Sequence, residues 1–147
     1  MILLDTNVVS ELRKVRAGKA HPSITAWSRT VAASSLYLSV VTVHELEVGV
    51  GLLERRDPTQ GALLRTWLDA HVMPAFAGRC FAVDEQVARA SARLHIPHPI
   101  PFRDGLIAAT ALVHGLIVAT RNVADFAATG VALVNPWEDA GTGAKLS

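Results

Sequence analysis

Short runs of apolar residues that end abruptly at a polar side chain are the feature that most restricts the fold of this chain. Segments with apolar residues at helical spacing lie between these runs. Strands that are apolar on both faces are typical of parallel sheets covered by helices on each side. The pattern therefore predicts an α/β domain, with three α/β/α layers around a five-stranded parallel sheet. The runs are ILL at 2–4, SLYLSVVT at 35–42, CFAV at 80–83, LIVAT at 116–120 and VALV at 131–134.

The size and composition of the chain fit one core-rich domain. Its 147 residues are 50% hydrophobic and only 18% charged, which excludes a disordered or fibrous chain. A chain of this length buries most of its apolar surface without disulfides or a structural metal. We expect a single domain over residues 1–137. A flexible tail is expected over residues 138–147, where small and polar residues predominate.

The single cysteine and the hydropathy pattern bear on where the protein acts. Cys80 has no partner for an intramolecular disulfide, which fits a reducing compartment, so a cytoplasmic location is expected. The most apolar segment, residues 106–119, is interrupted by His114 and Gly115 and is too short to span a bilayer as one helix. No membrane role is expected. The net charge of +1 leaves nucleic-acid binding open, because a nearly neutral protein can carry a local basic face.

Acidic residues flank the predicted strands on the side where parallel sheets bind ligands. Converging carboxylates repel one another and are tolerated at neutral pH chiefly with a divalent cation between them. Oxygen ligands without paired cysteines or an HExxH motif select Mg²⁺ or Mn²⁺ over zinc. The sequence therefore predicts a magnesium or manganese site. Asp5 ends the first strand, Glu45 lies in the first helical turn after the second, Asp104 opens the helix before the fourth, and Asp125 follows the fourth.

Each acidic residue also has a purely structural interpretation. Thr42 and Glu45 have the spacing of a capping box, in which the glutamate bonds the start of the helix. Asp5 is a suitable N-cap for the helix that follows it. Asp104 and Asp125 are acids of the kind that the helix dipole favours in a first turn. Four such acids at one edge of the sheet favour a metal site over four unrelated caps.

Four segments carry a resemblance to a known family. They are LLDTNVVSEL, SVVTVHELEVGV, RDGLIAATALVHGLIVATRNVADF and VALVNPW. The D-T-N start is moderately specific, whereas D-x-x-I-A-A-T-A followed by a strand and T-R-N-x-x-D-F is highly specific. With these segments in order from residue 2 to about residue 137, the chain resembles PIN-domain proteins of the VapC type. These are the toxin half of prokaryotic toxin and antitoxin pairs.

The resemblance implies a fold, an activity and a set of site residues. The fold is a parallel five-stranded sheet flanked by helices, and the activity is that of a Mg²⁺- or Mn²⁺-dependent endoribonuclease. The family's catalytic acids fall on Asp5, Glu45, Asp104 and Asp125. Asp5 and Asp104 are expected to bind metal directly, Glu45 to bind metal or orient the attacking water, and Asp125 to complete the shell through water or hold a second ion. The polar residues expected to hydrogen-bond these carboxylates are Asn7, Thr120 and Asn122.

Basic residues are expected to guide the RNA substrate. Arg13 and Lys14 begin a basic run, RKVRAGK, after the helix that follows Asp5. The alternative for each of them is a solvated cation at a helix end. Arg103 and Arg121 adjoin metal-site residues and are stronger candidates for RNA binding. Either of them can instead balance the acidic cluster when no metal is bound.

Apolar side chains at helical spacing point to a protein partner as well as to a core. Two segments contain more apolar side chains than one layer of helix on a sheet needs for its core. They include Trp27 in SITAWSRTV and Leu46, Val50 and Leu53 in VHELEVGVGLLERR. Core burial explains most of them. The resemblance implies that a helical segment of a cognate antitoxin lies in a groove between such helices and delivers an Arg or Lys into the acidic pocket. It also implies a two-fold homodimer.

Two other classes of Mg²⁺-dependent protein place an acid after the first strand. An aspartyl-phosphate phosphatase needs a second acid two residues later, where this chain has Asn7. A receiver-like phosphoacceptor usually begins with paired acids and carries a lysine after its last strand, whereas VALVNPW contains none. Cleavage of RNA under Mg²⁺ supports the nuclease, and stable phosphorylation by acetyl phosphate supports the receiver.

Overall fold

The strands of the sheet form where the apolar runs lie. In the computed structural model, which describes residues 1–138, they are β1 (Ile2–Leu4), β2 (Leu36–Ser39), β3 (Cys80–Phe81), β4 (Ile117–Ala119) and β5 (Leu133–Val134). They form a five-stranded sheet in the order β3-β2-β1-β4-β5. Every neighbouring pair is parallel. The predicted parallel sheet is confirmed.

Helices occupy the segments between the strands. The connection between β2 and β3 is helical from residue 40 to residue 75 except at Asp57, which is extended and separates two of its helices; a π-helical turn at Leu68–Val72 joins the next two. Short 3₁₀ turns lie at Ala33–Ser35 and Ala127–Thr129. The α-helices are α1 (Thr6–Leu12), α2 (Pro22–Thr30), α3 (Val40–Arg56), α4 (Pro58–Trp67), α5 (Met73–Ala75), α6 (Glu85–Leu94), α7 (Phe102–His114) and α8 (Val123–Phe126).

Successive residues of β1 point into two separate cores, one on each face of the sheet. Leu4 packs with Val8 of α1 and Leu68 on one face. Leu3 packs with Ile107 of α7 and Phe126 of α8 on the other. These side chains are completely buried. The arrangement confirms the three-layer α/β/α architecture, because each face of a parallel sheet needs a helical cover.

The strand register brings the carboxyl ends of the central strands level with one another. Leu4 is paired with Ala119 across β1 and β4. The next residue of each strand continues the ladder, since the Asp5 N–H donates to the Ala119 carbonyl at 2.9 Å and the Thr120 N–H donates to the Val134 carbonyl at 3.0 Å. Asp5 and Thr120 are therefore fixed by backbone hydrogen bonds at one edge of the sheet.

The start of α3 differs from the predicted one, and α2 begins with a histidine cap. The Ser39 hydroxyl accepts from the Val41 N–H at 3.0 Å and caps α3. The cap is therefore Ser39 and not Thr42 of the alternative capping box, and Glu45 lies in the second turn of α3 instead of the predicted first. At α2 the N-cap is the His21 imidazole, which accepts from the Ser23 N–H at 3.1 Å. Pro22 follows at the first helical position, where its missing N–H costs nothing.

Within residues 1–138, no helix is long and apolar enough to cross a membrane. Apart from Glu138, the predicted flexible tail over residues 138–147 lies outside the described residues.

Candidate active site

Asp5 is the most enclosed carboxylate of the candidate site. It is completely buried at the end of β1. One oxygen, Oδ1, accepts from the Thr6 N–H at 2.8 Å. The other, Oδ2, accepts from the Thr120 hydroxyl at 2.7 Å and from the Asn7 amide at 3.5 Å. The Asp5 side chain therefore caps α1 and also accepts a hydrogen bond from Thr120, which follows β4.

Glu45 reaches the same pocket from the second turn of α3. Its Oε1 accepts from the Thr6 hydroxyl at 2.5 Å, and its Oε2 accepts from Arg103 Nε at 2.5 Å. Partial burial opposes ionisation of this carboxyl, but the hydrogen bonds from Arg103 and Thr6 outweigh it and lower the pKa of Glu45. Glu45 is therefore held as a carboxylate at neutral pH.

Asp104 enters the pocket from the first turn of α7. Its Oδ1 accepts from Arg103 Nη1 at 2.6 Å. Burial raises the pKa of Asp104; Arg103 acts in the opposite direction, and the negative charges of Asp5 and Asp125 add to the rise. An additional positive charge near Asp104 would therefore favour its ionised form.

Arg103 lies at the centre of the acidic pocket, which we define as the space between Asp5, Glu45 and Asp104. Its guanidinium contacts all three carboxylates, including Asp5 through Nη2. Nη2 also donates to the Thr6 hydroxyl at 3.1 Å. Burial acts against the charged form, but the hydrogen bonds to Glu45 and Asp5 dominate and raise the pKa of Arg103. Arg103 therefore balances the acidic cluster, which was the alternative to RNA contact.

The remaining predicted residues lie around the rim of the pocket. Asp125 is exposed on α8, close enough to Asp104 to influence its pKa. The Asn7 side chain links two parts of the rim, since its amide donates to Asp5 and its carbonyl accepts from the Arg121 N–H at 3.3 Å. Asn122 contributes its backbone N–H, which donates to the Thr120 hydroxyl at 3.0 Å. In the described residues its side chain makes no hydrogen bond to the carboxylates, in contrast to the expectation.

Thr6 is a pocket residue that the sequence reasoning missed. Its hydroxyl lies between Glu45 and Arg103, at 2.5 Å and 3.1 Å, and so ties α1 to α3 and α7. The available signal was its position next to Asp5 in the D-T-N segment. Spacing along the chain does not reveal that a hydroxyl at the start of one helix faces the second turn of another.

The cations proposed to bind RNA have intramolecular contacts of their own. Lys14 forms an exposed ion pair with Glu11 at 3.2 Å. The guanidinium of Arg13 lies 5.8 Å from the ring centre of Trp67, and that of Arg121 lies 5.2 Å from the ring centre of Trp137. Contacts of this kind are worth little at the surface, so these cations can exchange them for phosphate.

The acidic pocket has the donor chemistry of a site for a hard divalent cation. Its carboxylates come from three different elements and converge on one positive charge. Within the described residues, no three acidic, histidine or cysteine side chains are already spaced as a metal cage. The guanidinium of Arg103 lies between these carboxylates and contacts each of them. The residues fit a magnesium or manganese ion once Arg103 releases them.

Comparison with known proteins identifies the family. The chain matches the PIN domain over residues 2–131. It is 39% identical over 148 positions to the VapC ribonuclease Y4jK of Sinorhizobium fredii, covering 95% of this chain and 100% of that protein. It is 41% identical over 145 positions to the toxin FitB of Neisseria gonorrhoeae, again covering 95% and 100%. The crystal structure of FitAcB from Neisseria gonorrhoeae is similar with a TM-score of 0.85 and 39% identity, over 94% of this chain and 99% of that one.

The fold and the sequence relatives lead to the same class. The chain belongs to the PIN domain family, and its relatives include one named a VapC ribonuclease and one named a toxin. The resemblance inferred from the D-T-N start and the D-x-x-I-A-A-T-A segment is confirmed.

Proposed function

We propose that this chain is a divalent-metal-dependent endoribonuclease and the toxin of a toxin and antitoxin pair. Ribonuclease activity and the toxin class follow from family membership and from relatives of nearly the same length. The single observation that supports the metal site is the convergence of Asp5, Glu45 and Asp104 on one guanidinium at the carboxyl edge of the sheet. Parallel sheets bind ligands at this edge.

Asp5 and Asp104 are the proposed metal ligands. Both extend from rigid backbone, one at the end of a strand and the other in the first turn of a helix. Thr120 and Asn7 orient Asp5 by donating to its Oδ2. When bound, Mg²⁺ or Mn²⁺ supplies positive charge that stabilises phosphoryl oxygens and lowers the pKa of water. Asp125 faces Asp104 from the rim and either completes this set through water or holds a second ion.

The remaining pocket residues have proposed roles toward the substrate. Glu45, held ionised by Arg103 and Thr6, orients the attacking water and accepts its proton. Arg103 is proposed to exchange the carboxylates for an RNA phosphate, for which its planar donors are well suited. Arg13, Lys14 and Arg121 are proposed to contact more distant phosphates. The compartment proposed for this chemistry is the reducing cytoplasm.

An antitoxin segment is proposed to occupy a groove between α1, α3 and α4. The groove has a volume of about 390 Å³ and extends from Thr6 and Glu45 to Leu53, Leu64 and Trp67. Leu53 belongs to the expected apolar stripe, whereas Trp27 packs against the core beneath α2. Because the groove opens at the acidic pocket, a bound helix with a terminal Arg or Lys can reach the carboxylates and compete with Arg103 and metal. A homodimer remains part of the proposal.

Incubation of the purified chain with RNA tests the enzymatic proposal. We expect cleavage with Mg²⁺ or Mn²⁺, no cleavage in excess EDTA, and inhibition when the product of the adjacent reading frame is co-expressed. Acetyl phosphate is tested as a second substrate. Stable phosphorylation of the chain without RNA cleavage would support a receiver-like phosphoacceptor, and hydrolysis of the acetyl phosphate would support the phosphatase. Asn7 in place of a second acid argues against the phosphatase.

A further inference from the structure

A second cavity opens beside the acidic pocket, between α3 and α7. Its volume is about 690 Å³. The walls are largely apolar and include Val41, Val48, Phe102 and Leu106. Glu45 and Arg103 line it as well, and both also contact the acidic pocket. A molecule in this cavity therefore lies directly next to the proposed reaction site.

The cavity is bordered by large apolar side chains that the fold leaves in solvent. Phe102 is 73% exposed and Val48 is 47% exposed. Phe102 immediately precedes Arg103 in the chain, so the exposed ring stands at the rim where the guanidinium enters the pocket. Exposed apolar patches of this kind mark ligand-binding grooves or protein interfaces.

We infer that this cavity binds the nucleobase of a nucleotide adjoining the scissile phosphate, with the base stacked on Phe102. The inference rests on the proposed ribonuclease function. Single-stranded RNA is commonly held by a cation on the phosphate and an aromatic ring on the base. Arg103 and Phe102 supply these two groups from consecutive positions. The volume lies in the range of small-molecule sites and is ample for one base.

His44 adds a polar group to the otherwise apolar cavity. It is exposed on α3 one residue before Glu45 and lines the same space. Its imidazole has one donor and one acceptor when neutral, so it can hydrogen-bond the edge of a base. Stacking on Phe102 supplies affinity, and His44 supplies discrimination between bases.

The test uses single-stranded RNA oligonucleotides in which one base at a time, on either side of the cleavage site, is replaced by an abasic residue. Phe102→Ala is compared with Phe102→Trp, which retains an aromatic ring. Leu112→Ala is the matched control, because Leu112 lies on the same helix, is 44% exposed and does not line the cavity. KM, kcat and RNA binding by fluorescence anisotropy in EDTA are measured for each.

The expected result is a position-specific loss of base recognition. On intact RNA, Phe102→Ala raises KM and weakens binding by about tenfold, as expected for one stacked base, while Phe102→Trp and Leu112→Ala resemble the wild type. Removal of the base at one flanking position weakens binding to the wild type by a similar factor and has no further effect on Phe102→Ala.

Two results overturn the inference. One is that removal of each flanking base weakens RNA binding equally in the wild type and in Phe102→Ala. The other is a change in sedimentation of Phe102→Ala with unaltered base dependence, which would assign the cavity to contact between two copies of the chain. Because anisotropy in EDTA measures binding without cleavage, the base pocket is tested even if no RNA is cut. Absence of metal-dependent cleavage in the wild type would contradict the proposed function separately.

Discussion

Asp5 and Asp104 have the same side chain but different surroundings. Asp5 accepts from the Thr6 N–H, from Thr120 and from Arg103, and these donors fix it in a completely buried position. Among the described residues, Asp104 accepts a side-chain hydrogen bond from Arg103 alone. Both are proposed metal ligands, yet Asp5 also holds β1, α1 and β4 together. Asparagine at the two positions should therefore have different effects on stability but the same effect on activity.

Asp5→Asn is expected to abolish metal-dependent RNA cleavage and to destabilise the metal-free protein. The asparagine keeps one acceptor oxygen for the Thr6 N–H and Arg103, but it loses the negative charge that pairs with Arg103 and places an NH2 group against the Asn7 amide. The free energy of unfolding should therefore fall by ~2–4 kcal/mol. Urea unfolding in EDTA measures this. An unchanged unfolding midpoint would show that the hydrogen bonds around Asp5 contribute nothing to the fold.

Asp104→Asn is expected to abolish cleavage and to stabilise the metal-free protein increasingly as the pH rises. Burial, together with Asp5 and Asp125, places the pKa of Asp104 above its ordinary value of 3.8, so folding favours the protonated carboxyl. That contribution is complete below 3.8 and is lost as the pH rises through the folded pKa. Asparagine cannot ionise, so the variant does not lose this contribution to stability as the pH rises.

Melting temperatures in EDTA between about pH 4 and about pH 7 measure this effect. The difference between Asp104→Asn and wild type should grow across the range and then level off. A difference that is constant or shrinks with rising pH would mean that the pocket does not oppose ionisation of Asp104.

Arg103→Gln is expected to make stability strongly dependent on metal. In EDTA the variant leaves Asp5, Glu45 and Asp104 without their shared cation, at a cost of ~1–3 kcal/mol after allowance for the 30% exposure of Arg103. Mn²⁺ at about a hundred times its dissociation constant should stabilise the wild type by ~2.7 kcal/mol, or roughly 5–10 °C. The shift in Arg103→Gln should be larger, because no guanidinium competes with the ion.

Arg89→Gln is the control for this comparison. Arg89 pairs with Glu85 at 3.7 Å on the exposed surface of α6, so its loss should change neither stability nor the Mn²⁺ shift. A smaller Mn²⁺ shift in Arg103→Gln than in wild type would show that arginine and metal do not share the same carboxylates.

The elements of the fold were more accessible to prediction than the contacts between them. Apolar runs located all five strands, and because strand ends in a parallel sheet align, Asp5, Glu45 and Asp104 could be expected to lie near one another, as they do around Arg103. The cap of α3 was not predicted, since Ser39 and Thr42 are both good caps and only the end of β2 selects Ser39. The π-helical turn at Leu68–Val72 leaves no trace in helical spacing. Contacts such as Thr6 with Glu45 depend on how α1 and α3 cross.

A glycine on α4 shows how closely α3 and α4 pack. An added Cβ at Gly61 would lie 2.4 Å from the Glu54 Cα on α3, whereas one at Gly51 would meet nothing within 4 Å. Gly61→Ala should therefore cost ~1–3 kcal/mol by forcing the helices apart. Gly51→Ala should stabilise the protein by ~0.5–1 kcal/mol, because glycine is unfavourable inside a helix. Urea midpoints compare the two, and similar values would contradict the close approach.

At the scale of the whole molecule, the topology brings distant residues to one place. Asp5 and Asp104 are far apart in sequence, but β1 lies at the centre of the sheet and α7 crosses one face of it to reach β4. Glu45 lines both the groove proposed for the antitoxin segment and the cavity proposed for the nucleobase. Binding of an inhibitor, of metal and of RNA can therefore compete for the same few carboxylates.

The most direct test of the metal site is RNA cleavage as a function of Mn²⁺ concentration, measured for wild type and Asp104→Asn. We expect no wild-type cleavage in EDTA, saturation at the Mn²⁺ concentration that also saturates the rise in melting temperature, and activity in Asp104→Asn lower by at least about a hundredfold. Cleavage in EDTA equal to that in Mn²⁺, or wild-type activity in Asp104→Asn at saturating Mn²⁺, would contradict the metal site.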